Sequence, residues 1–115
     1  MKRDMDVIRQ IVLAVRDASD VVREVPGIDQ AVFIEHARLL HEAGLIDAAI
    51  QVVQHRATLA LIWRLTWAGQ DFAQSVVDDT VWRKAKENVL KPMGSWTFAI
   101  LGDYLKGEIT RLTTG

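Results

Sequence analysis

Thiol chemistry is excluded at once, because the 115 residues include no cysteine and so no disulfide, thiolate nucleophile or thiolate metal site. Two of the histidines, His36 and His41, fall on one expected helix. A shared metal would need them on one face, but five positions at about 100° per residue carry the second through about 500°. His36 sits on an apolar stripe and is expected as a hydrogen-bonded core residue. Ser19, Ser75 and Ser95 lack the flanking glycines of a nucleophile elbow, and no glycine-rich phosphate loop occurs. Asp78-Asp79 are paired carboxylates, but capping and attraction to a helix N-terminus account for them without acid–base chemistry. No catalytic set, metal site or cofactor is expected, so the chain reads as a non-enzyme.

The positive patch of most interest is Arg83, Lys84, Lys86 and Lys91, offset by Glu87 and beside Trp82. Such a run on a helix reads first as a solvated face and second as a nucleic-acid contact. The four tryptophans, Trp63, Trp67, Trp82 and Trp96, lie on or beside apolar faces and are expected in the core or an interface.

The elements that position these groups follow from periodicity. Residues 4–18 place Met5, Ile8, Ile11, Val12 and Val15 on one helical face, with Arg9 and Arg16 opposite. Val25-Pro26-Gly27 breaks the chain, and Asp29 is placed as N-cap of a second helix over 29–43 with an inward stripe of Val32, His36, Leu39, Leu40 and Ala43. Gly44 followed by Leu45 predicts a Schellman end that sets Leu45 against Leu40. Over 46–66, Ile50, Val52, Val53 and Ile62 flank the polar tip Gln54-His55-Arg56, a pattern for two antiparallel strands. Helical spacing returns through Ala68, Phe72, Ala73 and Val76. A further helix over 80–90 turns Val81, Trp82, Ala85 and Val89 inward and stops at Pro92-Met93-Gly94. Ser95 caps a last helix striped by Phe98, Leu101, Leu105, Ile109 and Leu112. That stripe must close over the chain's own core or pair with a second copy, which makes a homodimer through the C-terminal helix one expected partnership.

Half of the residues are hydrophobic and a quarter charged, which is the balance of a globular chain rather than a disordered one. The acids before the first apolar stretch do not make a signal peptide, and Leu59-Ala60-Leu61-Ile62-Trp63 is too short to cross a bilayer, so a cytoplasmic location without membrane contact is expected. Fourteen lysines and arginines against fifteen acids leave −1, so the whole chain generates no field that would gather polyanions.

The succession of Leu39-Leu40-His41-Glu42-Ala43-Gly44-Leu45-Ile46, a strand, a tip, a strand and Arg64-Leu65-Thr66-Trp67-Ala68-Gly69-Gln70-Asp71-Phe72 resembles the winged-helix proteins of bacterial regulators. Met1-Lys2-Arg3-Asp4-Met5-Asp6, Glu35-His36-Ala37-Arg38-Leu39-Leu40 and Asp78-Asp79-Thr80-Val81-Trp82 are similar to a bacterial, phage and prophage family known as domain of unknown function 2513. The resemblance covers nearly the whole chain. It implies a winged-helix-like fold and an often phage-linked origin, and it implies no activity. The expected architecture is mainly α with a small antiparallel β-hairpin: one winged-helix-like domain over 1–115, with a C-terminal helical extension from about 79.

In that fold the second helix takes the place of a recognition helix, and the hairpin tip is a wing. The outward residues Gln30, Ile34, Glu35, Arg38, His41 and Glu42, with His55 and Arg56, become the candidate contacts with a partner or with DNA. Gln30 and Arg38 have the donors to read base edges, and His41 to touch phosphate. Yet residues 27–48 hold Asp29, Glu35, Glu42 and Asp47 against Arg38 alone, a net −3 that repels phosphate. Residues 19–28 are also too short and broken for the full first helix of a helix-turn-helix pair. The expected function is therefore a phage-type accessory or regulatory module that binds a host or phage protein; a DNA-binding regulator is the alternative.

Overall fold

The computed structural model describes residues 2–90, 104, 105 and 107. Its elements are α1 (Met5–Asp17), α2 (Gln30–Glu42), β1 (Ile46–Val53), β2 (Arg56–Leu65), α3 (Trp67–Val76) and α4 (Asp79–Ala85), the last running into a π-helical turn, Lys86–Leu90. Helices dominate, and the strands form one antiparallel hairpin. The chain divides into two compact units, Met1–Ala73 and Gln74–Gly115, with the boundary inside α3.

In the first unit α1 packs on α2 and β2, and α2 packs on both strands. The carboxylate of Asp4 caps α1 by accepting from the Asp6 and Val7 amides at 3.0 and 3.4 Å. Met5, Ile8, Ile11, Val12 and Val15 are all buried, as their spacing predicts. No helix forms between Asp17 and Gln30. Val25-Pro26-Gly27-Ile28 makes a turn closed by Ile28 N–H to Val25 C=O at 3.1 Å, with Gly27 at φ 87°. Before it, Val22 pairs with Ile62 in an isolated antiparallel bridge. Residues 19–28 thus make a bridge contact and a turn and no helix, as their shortness predicts.

Asp29 caps α2 through the Ala31 and Val32 amides, at 3.1 and 3.4 Å. At the other end Gly44 N–H donates to His41 C=O at 3.0 Å and Leu45 N–H to Leu40 C=O at 3.1 Å, with Gly44 at φ 77°. These are the two bonds of a Schellman motif. The inward stripe is rotated from the expected one: Phe33, His36, Ala37 and Leu40 are buried, Val32 and Leu39 are half-buried, and Ala43 is exposed as the C-cap. Turning Phe33 inward covers the largest apolar side chain of the helix, worth about 1.5–3 kcal/mol, and the small Ala37 beside it lets neighbours approach.

The strands pair from Ile46↔Leu65 to Val53↔Arg56, with irregularities that leave Trp63 and Thr58 without partners. The extra residue at Trp63 shifts the phase of β2. Ala60 and Ile62 face in, Trp63 and Arg64 both face out, and Leu65 returns to the core. Arg64 then meets Asp47 at 2.6 Å. This removes two tryptophans from the core half of the expectation: Trp63 is 56% exposed, and Trp67, the first residue of α3, is 86% exposed. Trp82 is buried, as expected, and Trp96 lies outside the described residues.

At the start of α3, Thr66 Oγ1 accepts from the Gly69 amide at 3.1 Å and donates to Gly44 C=O at 2.6 Å, while Thr66 N–H donates to Leu45 C=O at 3.0 Å. Ala68, expected inward, is exposed; Gly69, Phe72 and Ala73 take the buried face because the helix start lies directly on the Leu45 carbonyl.

In the second unit Asp78 caps α4 through the Val81 amide at 2.9 Å, which gives the aspartate pair its structural role. Val81, Trp82 and Ala85 are buried. Asn88 Nδ2 donates to the Tyr104 hydroxyl at 2.9 Å, and Leu105 is fully buried. Lys91, the Pro92-Met93-Gly94 stop, Ser95 and the stripe residues Phe98, Leu101, Ile109 and Leu112 lie outside the described residues. Among the described residues no helix is long and apolar enough to cross a membrane.

Candidate protein-binding groove

Ala31, Ile34, Glu35 and Arg38 recur at the i, i+3, i+4, i+7 positions that share one face of α2. The hairpin brings its tip to that face. Together they line an open groove of about 770 Å³, with Gln54, His55 and Arg56 on the far wall and Ala57 and Thr58 beside them. Ile34, Glu35, Arg38, His55 and Arg56, all candidates from the sequence, converge here.

Arg38 ties the walls together. Its Nε donates to Glu42 Oε1 at 3.3 Å, its Nη1 lies 3.8 Å from Glu35 Oε1, and Nη1 also donates to the His55 carbonyl at 3.4 Å. Two carboxylates outnumber the one guanidinium, and its donors serve the chain's own acceptors. Arg56 differs: among the described residues its side chain forms no ion pair or hydrogen bond, and neither do the side chains of Gln54 and His55.

The tip is a two-residue connection with both central residues left-handed, Gln54 at φ 51° and His55 at φ 66°. Asn-Gly is the usual occupant of such a turn, because a side chain at positive φ costs roughly 1–2 kcal/mol. Gln and His therefore hold these positions against the local preference of the backbone.

The other candidates lie elsewhere. Gln30 does not enter the groove; its Nε2 donates to the Arg23 carbonyl at 2.9 Å and anchors the preceding loop to the first turn of α2. His41 is exposed on the last turn and is not part of the lining. Arg83 and Lys84 are exposed on α4 and Lys86 is half-buried at the start of the π turn, while Lys91 lies outside the described residues. Sequence reasoning missed Ala31, Gln54, Ala57 and Thr58 as lining residues; the spacing of Ala31 to Ile34, Glu35 and Arg38, and the place of Gln54 in the polar tip, were the available signals.

His36 is a core residue. It is 1% exposed, its Nδ1 lies 2.8 Å from Val32 C=O, and its Nε2 accepts from the Asp4 amide at 2.9 Å. A carbonyl can only accept, so the proton sits on Nδ1 and the Nε2 lone pair faces Asp4. Among the described residues no group of three or more His, Asp or Glu side chains could hold a metal ion. The exposed pair Arg16–Asp17, with Nε to Oδ1 at 2.9 Å, lowers the Asp17 carboxyl and raises the Arg16 guanidinium through their side-chain hydrogen bond. It stands at the end of α1 and takes no part in the groove. The groove presents an apolar strip, together with donors and one cation that have no partner among the described residues.

No solved structure matches the chain. A protein of Haemophilus influenzae (strain ATCC 51907 / DSM 11121 / KW20 / Rd), described as uncharacterized, is 33% identical over 95 residues, covering 77% of this chain and 79% of that relative. The sequence profile of the family described as hypothetical protein DUF2513 matches residues 2–95. The chain belongs to that family.

Proposed function

We propose that the chain is a non-enzymatic interaction module of the phage accessory type, cytoplasmic, that docks a host or phage protein in the groove between α2 and the hairpin tip. The order α1, bridging Val22, α2 and hairpin supports a winged-helix reading with α2 as the recognition helix. The phage setting rests on the family resemblance. One observation carries the choice of a protein partner over DNA: Arg38, the only cation on the outward face of α2, is held by Glu35, Glu42 and the His55 carbonyl. A duplex would bring its phosphates against both carboxylates, whereas a protein surface can use the groove as it stands.

The test has two arms. Fluorescence anisotropy with a labelled random duplex across a salt series should show weak binding at physiological salt. Tight binding with a steep salt slope, lost in Arg38→Ala and strengthened in Glu35→Gln, overturns the reading in favour of the DNA-binding alternative. In the second arm, a pull-down from the native host read by mass spectrometry should recover a protein that Ile34→Glu fails to capture.

A further inference from the structure

We infer that the groove between α2 and the hairpin tip takes a short peptide segment that sets a carboxylate against Arg56 and an apolar side chain against Ile34; this rests on the protein-binding reading above. The first support is charge. Of the charged lining residues Glu35, Arg38 and Arg56, the first two pair with each other, which leaves Arg56 without an ion pair among the described residues. The Gln54 and His55 side chains stand next to it without partners among the described residues. A carboxylate is the ligand group that matches a guanidinium fork and can also accept from a neighbouring amide or imidazole. A lysine in the ligand would instead meet Arg56 and compete with Arg38 for Glu35.

Shape and preorganisation supply the rest. Ala31, Ile34 and Ala57 make an apolar strip along the groove, with Ile34 half-exposed on it. At about 770 Å³ the space falls within the roughly 300–1,000 Å³ of ordinary ligand sites, enough for a few side chains and not for a folded domain. The Arg38–His55 carbonyl bond, 3.4 Å long, links the two walls without a ligand, which reduces the ordering left to be done on binding. The left-handed Gln54 and His55 set two polar side chains on the groove wall at a backbone cost, which agrees with their facing the ligand.

The test is an amide-resolved NMR titration of the full chain with three capped hexapeptides, Gly-Leu-Glu-Glu-Leu-Gly and its Gln-Gln and Lys-Lys counterparts, and with a short DNA duplex. The Glu-Glu peptide should move the amides of Ile34, His55 and Arg56 saturably. The Gln-Gln peptide should bind about two- to fivefold more weakly, as should the Glu-Glu peptide to Arg56→Gln, which is the range for a partly exposed ion pair. Equal affinity for the Glu-Glu and Lys-Lys peptides, or no shifts at millimolar Glu-Glu peptide, overturns the acidic-segment proposal while leaving a protein partner in place. Duplex-induced shifts at those same amides, without peptide binding, overturn the protein-binding reading itself.

Discussion

Replacing glycine by alanine inside a helix normally stabilises it by about 0.8–1.0 kcal/mol, because the backbone loses less freedom on folding. Gly69 should behave in the opposite way. A Cβ built there overlaps the Leu45 carbonyl oxygen and stands 3.0 Å from the Leu45 carbonyl carbon and 3.1 Å from Leu65 Cβ. The obstacle is backbone, so rotamer changes give no relief, and overpacking of this kind costs about 1–3 kcal/mol. The same carbonyl accepts from Thr66 N–H at 3.0 Å, and pushing it aside forfeits about 1 kcal/mol more. Set against the propensity gain, Gly69→Ala should lose roughly 1–3 kcal/mol, a fall in Tm of at least about 4 °C. Urea unfolding followed by circular dichroism measures this, with an unchanged slope showing that the unfolded state is the same. Ala68→Gly, one residue earlier and exposed, should cost only the propensity difference of about 1 kcal/mol. A Gly69→Ala protein as stable as the parent would refute the close approach of α3 to the Leu45 carbonyl.

At Gly44, where a Cβ meets nothing within 4 Å, the penalty comes from φ 77° alone; Gly44→Val should destabilise by roughly 1 kcal/mol or more, and an unchanged melting temperature would remove the Schellman end. His36→Phe leaves the Asp4 amide without its acceptor, so a loss of about 1–3 kcal/mol is expected, together with faster hydrogen exchange at Asp4. Trp67→Ser should change stability by less than about 0.5 kcal/mol, because the side chain is 86% exposed; a large loss in thermal melts would place that indole in a packed site.

What could be read from the sequence was what neighbouring residues decide between themselves. Asp29 before an apolar stripe and Gly44 before Leu45 are signals contained within one turn of chain, and the structure has both caps in place. The stripe of α2 was legible in kind and wrong in phase, since the choice between Val32 and Phe33 is made by α1 and the hairpin packing on the helix. An alternating pattern cannot announce an inserted residue, so the bulge that turns Trp63 outward was invisible. The groove was half legible: Ile34, Glu35 and Arg38 on α2 and His55 and Arg56 at the tip were singled out, but nothing local says that they meet, as Arg38 does with a carbonyl seventeen residues away. Gly69 stood in plain view beside Thr66, and only the position of Leu45 in space gives it meaning.

Thr66 has a consequence for how this protein can diversify. Its hydroxyl donates to the Gly44 carbonyl, twenty-two residues back, so the hairpin is closed at its root by a bond that does not involve the far end. Extra residues inserted at Gln54-His55 enlarge a loop that is already closed, and each doubling of loop length costs only about 0.6 kcal/mol. The tip can therefore be lengthened or recharged at little cost to the frame that carries it.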